Sequence, residues 1–143
     1  MTPDEARARF ATERVARLAT VDTDGAPHLV PVTFAVDGGA VVTAIDGKPK
    51  SGLRLRRLEN IASNPRVSLL VDSYDEDWHR LWWARADGVA RIVEDGPELI
   101  HALGLLRGRY VQYEFVDLVG PAIVVDVERW TGWAAAGPTL TRA

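Results

Sequence analysis

Residues 15–36 read VARLATVDTDGAPHLVPVTFAV, and this stretch decides the fold class. Val15 to Val21 is rich in residues that favour strands and runs into Asp22-Thr23-Asp24-Gly25. An Asp-Gly pair supplies the positive φ of a tight hairpin turn. From His28 to Val36 the pattern alternates, with Val30, Val32, Phe34 and Val36 on one face and Leu29, Pro31, Thr33 and Ala35 on the other. Both faces are apolar or small. Pro31 has no N–H for a ladder, which places it at a sheet edge or beside a bulge that faces a cavity or ligand. Asp37-Gly38-Gly39 turns the chain again into a strand over Ala40 to Ile45, so two hairpins follow one another as a meander.

Working outward, Thr2-Pro3-Asp4-Glu5 is a helix start: a threonine N-cap, proline in the first turn and glutamate completing a capping box. The helix is expected from Pro3 to about Ala11. After a loop over Asp46 to Lys50, Ser51 is the expected cap of a second helix, which Asn64-Pro65 ends near Ser63. Its apolar stripe is Leu55, Leu58, Ile61 and Ala62, with Arg54, Arg56 and Arg57 on the open face. Val67 to Asp72 is a further strand, and Leu81 to Val93 is a long one bent at Asp87-Gly88. Asp95-Gly96-Pro97-Glu98 opens a third helix to about Arg107. Pro121 to about Trp130 is the last strand, nearly continuous in apolar residues over Ala122 to Val125, as a wall covered on both sides requires. Six strands with short helices inserted between them are expected to form an antiparallel barrel, as one domain over residues 1–143 with a loose tail from about 137.

Composition bounds the function. The chain has 143 residues, 47% hydrophobic and 26% charged, which is ordinary for one globular domain. It has no cysteine, which excludes thiol nucleophiles, disulfides and zinc–thiolate sites and suits a reducing cytoplasm. No apolar run is long enough for a membrane span, and the first residues lack the apolar core of a leader, so a cytoplasmic location without membrane association is expected. The net charge of −3 argues against a nucleic-acid partner.

Familiar catalytic motifs are missing. Val42 stands where a Walker A loop needs glycine and Pro49 where it needs Ser or Thr. No GxGxxG follows a strand, and no serine sits in a Gly-x-Ser-x-Gly elbow. His28, His79 and His101 lack ligand-like spacing, so no metal site is expected. The acidic group Asp72, Asp75, Glu76 and Asp77 reads as a solvated loop. Of 17 basic residues only Lys48 and Lys50 are lysine, and both fall in one loop before the helix start at Ser51. Lysines beside exposed helix N–H groups favour phosphate. A merely solvated basic loop is the alternative reading.

The run from Arg17 to Val32, the lysine loop and the later Asn64-Pro65-Arg66-Val67-Ser68 resemble the pyridoxamine 5'-phosphate oxidase-like family, most of all its deazaflavin (coenzyme F420)-dependent branch. The pattern extends in order from about Val15 to Val93, with a weaker echo at Glu128 to Trp133. The resemblance implies a six-stranded antiparallel split β-barrel, mainly β, of the FMN-binding type, and a homodimer that binds its cofactor across the interface. It implies that Val30 and Pro31 line the isoalloxazine-like ring, that Thr43 and Ala44 flank it, and that Lys48, Lys50 and Ser51 hold the phosphate. The segment by which the partner would close the site is Leu81-Trp82-Trp83; Trp82 and Trp83 point to opposite faces of a strand, so at most one stacks on the ring. The oxidase proper ends in an Arg-Leu-x-Pro tail serving its pyridoxal substrate, whereas this chain has Glu128-Arg129-Trp130-Thr131-Gly132-Trp133. Oxidation of pyridoxine phosphate is therefore not expected, and the implied activity is hydride transfer between coenzyme F420 and an unsaturated small molecule. FMN is the alternative cofactor, with F420 preferred because Arg54 and Arg57 at the cleft mouth suit its phosphodiester and glutamate tail. A flavin or haem-like ligand carrier is the non-catalytic alternative. No side chain stands out as a general acid.

Overall fold

The structure, a computed structural model, describes residues 1–45 and 55–135. Helix α1 spans Pro3–Phe10, and its cap forms as the sequence implies: Thr2 Oγ1 accepts from the Glu5 amide at 3.1 Å and Glu5 Oε2 accepts from the Thr2 amide at 2.9 Å. Ala6 and Phe10, one turn apart, are fully buried.

Strands β1 (Ala16–Val21) and β2 (Pro27–Val32) form the first hairpin, with Pro31 opposite Arg17. Asp22 organises its turn by accepting from the amides of Asp24 and Ala26, while Gly25 takes φ 83°. Strands β3 (Ala35–Asp37) and β4 (Ala40–Ala44) form the second. Here the structure corrects the expected six strands to seven: the run from His28 to Val36 is not one strand but breaks at Thr33-Phe34. The cause is distant in sequence. The Phe34 amide donates to the Tyr110 hydroxyl at 3.1 Å and the Phe34 carbonyl accepts from Arg109 Nη1 at 3.2 Å, so partners outside the sheet serve both backbone groups.

The sheet continues with β5 (Arg66–Ser73), β6 (Trp82–Val93) and β7 (Ala122–Ala134). Its order is β2-β1-β5-β6-β7-β4-β3, with every pairing antiparallel. The two edge strands are joined only by Thr33 and Phe34, so the sheet must curl back on itself, and the seam between β2 and β3 is where the barrel is split. Between Asp87 and Gly88 the pairing of β6 with β7 slips by one residue, from Asp87↔Arg129 to Gly88↔Val127, at the bend read from the sequence. A Cβ at Gly88 would collide with the Asp126 carbonyl. The last strand runs past its expected end at Trp130 to Ala134, because Trp130 to Ala134 pair along the first half of β6.

Helix α2 spans Arg56–Ser63 and ends at Asn64 as expected, but its N-cap is Leu55 in extended conformation, without a side-chain hydrogen bond. Ser51 therefore does not cap this helix. Of the expected stripe, Leu58 and Ile61 are buried and Leu55 packs on the core, while Ala62 is exposed and Asn60 is buried in its place. Asn60 tolerates burial because its Nδ2 donates to Thr20 Oγ1 of β1 at 3.0 Å. Helix α3 runs over Gly96–Arg109, slightly longer than expected. Its first turn is tied to the sheet by Arg91, which bonds Glu98 at 2.6 Å and Asp126 at 2.9 Å; these bonds hold its guanidinium charged, with its pKa pushed above the usual value.

The core has two parts. Leu18, Phe34, Val41, Leu69, Val71 and Val125 fill the barrel interior. Val42, Ala122 and Val124 face the opposite way and meet Leu103, Leu106 and Tyr110 around α3. The apolar continuity of Ala122 to Val125 follows from this two-sided cover. Among the described residues no helix is long and apolar enough to cross a membrane.

Candidate functional site

The split in the barrel opens a cleft of about 190 Å³. One wall is Pro31, Val32 and Thr33, where β2 ends; Thr43 and Ala44 of β4 form the other, with Val15 and Arg57 closing the sides. Pro31 is exposed on β2, which among the described residues pairs only with β1. Thr43 is 2% exposed, and its hydroxyl donates to the Thr33 carbonyl at 2.6 Å, tying the two walls together. That hydroxyl is structural support, since its single proton is already used within the wall.

Of the residues singled out from the sequence, Pro31, Thr43 and Ala44 come together in this cleft. Val30 lies on the next position of β2 but packs against the barrel core. Lys48, Lys50 and Ser51 lie outside the described residues, as does Arg54. Arg57, expected on the open face of its helix and at the cleft mouth, lines the cleft and is half-buried there. The short α2 presents it there because Leu58 and Ile61 fix which face of the helix meets the barrel.

Trp82 and Trp83 point to opposite faces of β6. Trp82 packs against the barrel core, with the Arg9 guanidinium 5.3 Å from its ring centre; Trp83 lies on the outer face, with Arg85 at 5.6 Å. Both border a second cleft of about 430 Å³ with Leu70, Tyr74 and Trp133. In the sheet, β1 lies between β2, which carries Pro31, and β5, which lines this second cleft. Leu70, Tyr74 and Trp133 are 38%, 63% and 47% exposed, a concentration of apolar surface on one face of the sheet.

The sequence reading missed the frame around the seam. Arg109 donates to the carbonyls of Ala11, Glu13 and Phe34, and Arg14 donates to the Arg109 carbonyl at 2.9 Å. Both guanidiniums stack over aromatic rings, Arg109 over Phe34 and Arg14 over Tyr110, at 4.6 Å in each case. The available signal was the run Arg107-Gly108-Arg109-Tyr110 at a helix end, where cations ordinarily cap carbonyls. Nothing local tells that the carbonyls served belong to residues near the N terminus.

The family model for pyridoxamine 5'-phosphate oxidase matches residues 2–134. The chain belongs to this family. A curated relative, the 5a,11a-dehydrotetracycline/5a,11a-dehydrooxytetracycline reductase of Streptomyces rimosus, is 43% identical over 56 residues, which are 39% of this chain and 38% of the reductase. Among solved structures, a heme binding protein from Mycobacterium smegmatis superposes with a TM-score of 0.73 at 27% identity, covering 94% of this chain and 55% of that one. A conserved hypothetical protein from Mycobacterium tuberculosis superposes with a TM-score of 0.75 at 23% identity, over 100% of this chain and 92% of that one. The chain thus spans about half of the first of these structures and well under half of the reductase.

Proposed function

We propose that the protein is a coenzyme F420-dependent oxidoreductase, working as a cytoplasmic homodimer, that moves a hydride between the deazaflavin and an unsaturated small molecule. The observation that carries this reading is the cleft at the barrel seam, in a chain whose family is that of a flavin-using oxidase. A flavin-type cofactor needs a flat apolar wall for its ring, backbone groups for its polar edge and cations for its phosphate. Pro31 and Ala44 provide the first, the edge strand β2 the second and Arg57 the third, so the residues present fit such a group. When bound, the deazaflavin supplies or accepts the hydride, and a proton exchanged with water completes the change at the substrate. The protein fixes the ring's position, excludes water and holds the anionic tail. The sequence match to a reductase of an unsaturated polycyclic compound supports reduction over pyridoxine phosphate oxidation.

Titrating the purified protein with coenzyme F420 and, separately, with FMN tests the reading directly by absorbance. Saturable F420 binding is expected, and Arg57→Ala should weaken it about tenfold or more. Hydrogen bonds to charged groups are worth roughly 1.5–3 kcal/mol, and about 1.4 kcal/mol is a factor of ten. Arg57→Lys, which keeps the charge, should retain more of the affinity than Arg57→Ala. Binding of FMN alone would establish the alternative cofactor. The identity to a heme binding protein favours a haem carrier as the second reading; a Soret band on haem addition, with no turnover of reduced F420 against unsaturated acceptors, would select it.

In the proposed dimer the face bearing Leu70, Tyr74 and Trp133 is covered by the second copy, which also brings Trp83 toward the partner's cleft. Light scattering at micromolar concentration should give the mass of a dimer, and Leu70→Glu with Trp133→Glu should shift it to monomer. A wild-type monomer would remove this part of the reading.

A further inference from the structure

A third cleft, of about 420 Å³, adjoins the cofactor cleft on its other side, between the loop before β1 and the 3₁₀ turn Val111–Glu114 that follows α3. Its lining includes Val15, Thr33, Tyr110, Tyr113 and Val116. Val15 and Thr33 line both clefts, so the two adjoin as neighbouring lobes at the end of β2. The larger lobe falls in the range of about 300–1,000 Å³ typical of small-molecule sites.

The chemistry of this lobe is specific. Tyr110 and Tyr113 stand edge to face with ring centres 5.9 Å apart, and the valines complete a largely apolar surface suited to a flat ring. Arg14, at the rim, lies over the Tyr110 ring and donates to the Arg109 carbonyl, so its guanidinium is held as part of the wall. The polar feature at the junction of the lobes is a pair of hydroxyls, Thr33 Oγ1 and Tyr113 OH, hydrogen-bonded at 2.5 Å. The Tyr110 ring is held by the bonds of its hydroxyl to Phe34 and Arg14, and Thr33 by the bond its carbonyl accepts from Thr43, so this side of the lobe is preformed.

We infer that this lobe is the acceptor subsite, and that it takes a flat, uncharged ring system whose carbonyl lies against the Thr33–Tyr113 hydroxyl pair, beside the cofactor cleft. The inference rests on the redox reading above and deepens it: Tyr113 and Thr33 are the groups that orient the acceptor, while Val15 and Val116 set the width of the ring it admits.

The test uses 1-tetralone, a flat bicyclic ketone, and tetralin, the same body without the carbonyl. Both are titrated into cofactor-free protein carrying ¹³C-labelled valine methyls. The expected result is saturable shifts at Val15 and Val116 with 1-tetralone, and a preference for it over tetralin. Tyr113→Phe should weaken 1-tetralone about three- to tenfold, the worth of one neutral hydrogen bond, and leave tetralin unchanged. Thr33→Val serves as an independent variant should Tyr113→Phe disturb the fold, which its melting temperature reports; it should lose the same preference. Shifts confined to other valines, or a ketone preference that survives both variants, overturn the inference. F420 is titrated into the same samples. F420 binding without tetralone shifts sinks the subsite and spares the redox reading, whereas tetralone shifts without F420 binding sink the redox reading and with it the acceptor role.

Discussion

Phe10→Ala should cost about 3–5 kcal/mol of stability, the range for emptying the site of a buried phenylalanine. Phe10 is fully buried and packs edge to face on Phe34 at 4.9 Å and on Trp130 at 5.3 Å. It is also the main anchor of α1, an eight-residue helix that is too short to persist by its own hydrogen bonds. The capping box fixes where the helix starts, while burial of Ala6 and Phe10, with Arg9 over the Trp82 ring, attaches it to β6 and β7. Urea unfolding should show a lower midpoint with a similar slope, since the surface exposed on full unfolding barely changes. Loss of less than 1 kcal/mol would mean that α1 is not docked as described. Because Phe10 supports Phe34 at the seam, cofactor affinity should fall along with stability.

The second large effect belongs to the seam itself. Tyr110 is 5% exposed, and its hydroxyl accepts from the Phe34 amide while lying 2.9 Å from the carbonyls of both Phe34 and Arg14. A hydroxyl carries one proton, so it serves one carbonyl at a time and the amide throughout. Tyr110→Phe keeps the ring and leaves the amide of the buried Phe34 without its acceptor, for an expected loss of about 1–3 kcal/mol. Arg109→Ala removes donors to Ala11, Glu13 and Phe34 together with two ring contacts, and should cost about 2–4 kcal/mol. The two changes share the Phe34 carbonyl, so the double variant should lose less than the sum. Thermal unfolding of the three variants measures both claims, and an unchanged melting temperature in Tyr110→Phe would show that the hydroxyl does not hold the break.

The balance between sequence and structure follows from the range of the interactions. The turns at Asp24-Gly25 and Asp37-Gly38, the capping box at Thr2 and Glu5, the stop at Asn64 and the bend at Asp87-Gly88 were all legible. In each, the deciding hydrogen bond or φ value lies within a few residues, or the residue type itself permits the geometry. The same holds for Pro31 at an edge and for Ala122 to Val125 as a strand buried on both faces, where alternation and apolar continuity are printed along the chain. These features determined the barrel class and brought Pro31 forward as a candidate, and the family resemblance added Thr43 and Ala44.

What the sequence could not show was decided by partners far along the chain. Alternation runs unbroken through Thr33-Phe34, so nothing local marks the break there; Tyr110, 76 residues from Phe34, takes the backbone groups that a continuing strand would have paired. Arg57 reads as an open-face helix residue at the cleft mouth, and only the docking of Leu58 and Ile61 on the barrel makes it a half-buried part of the cleft wall. The hydroxyl pair of Thr33 and Tyr113 spans 80 positions. Local geometry therefore set the strands and turns, and only tertiary packing opened the seam, because a backbone group bonds whichever partner the finished fold places nearest.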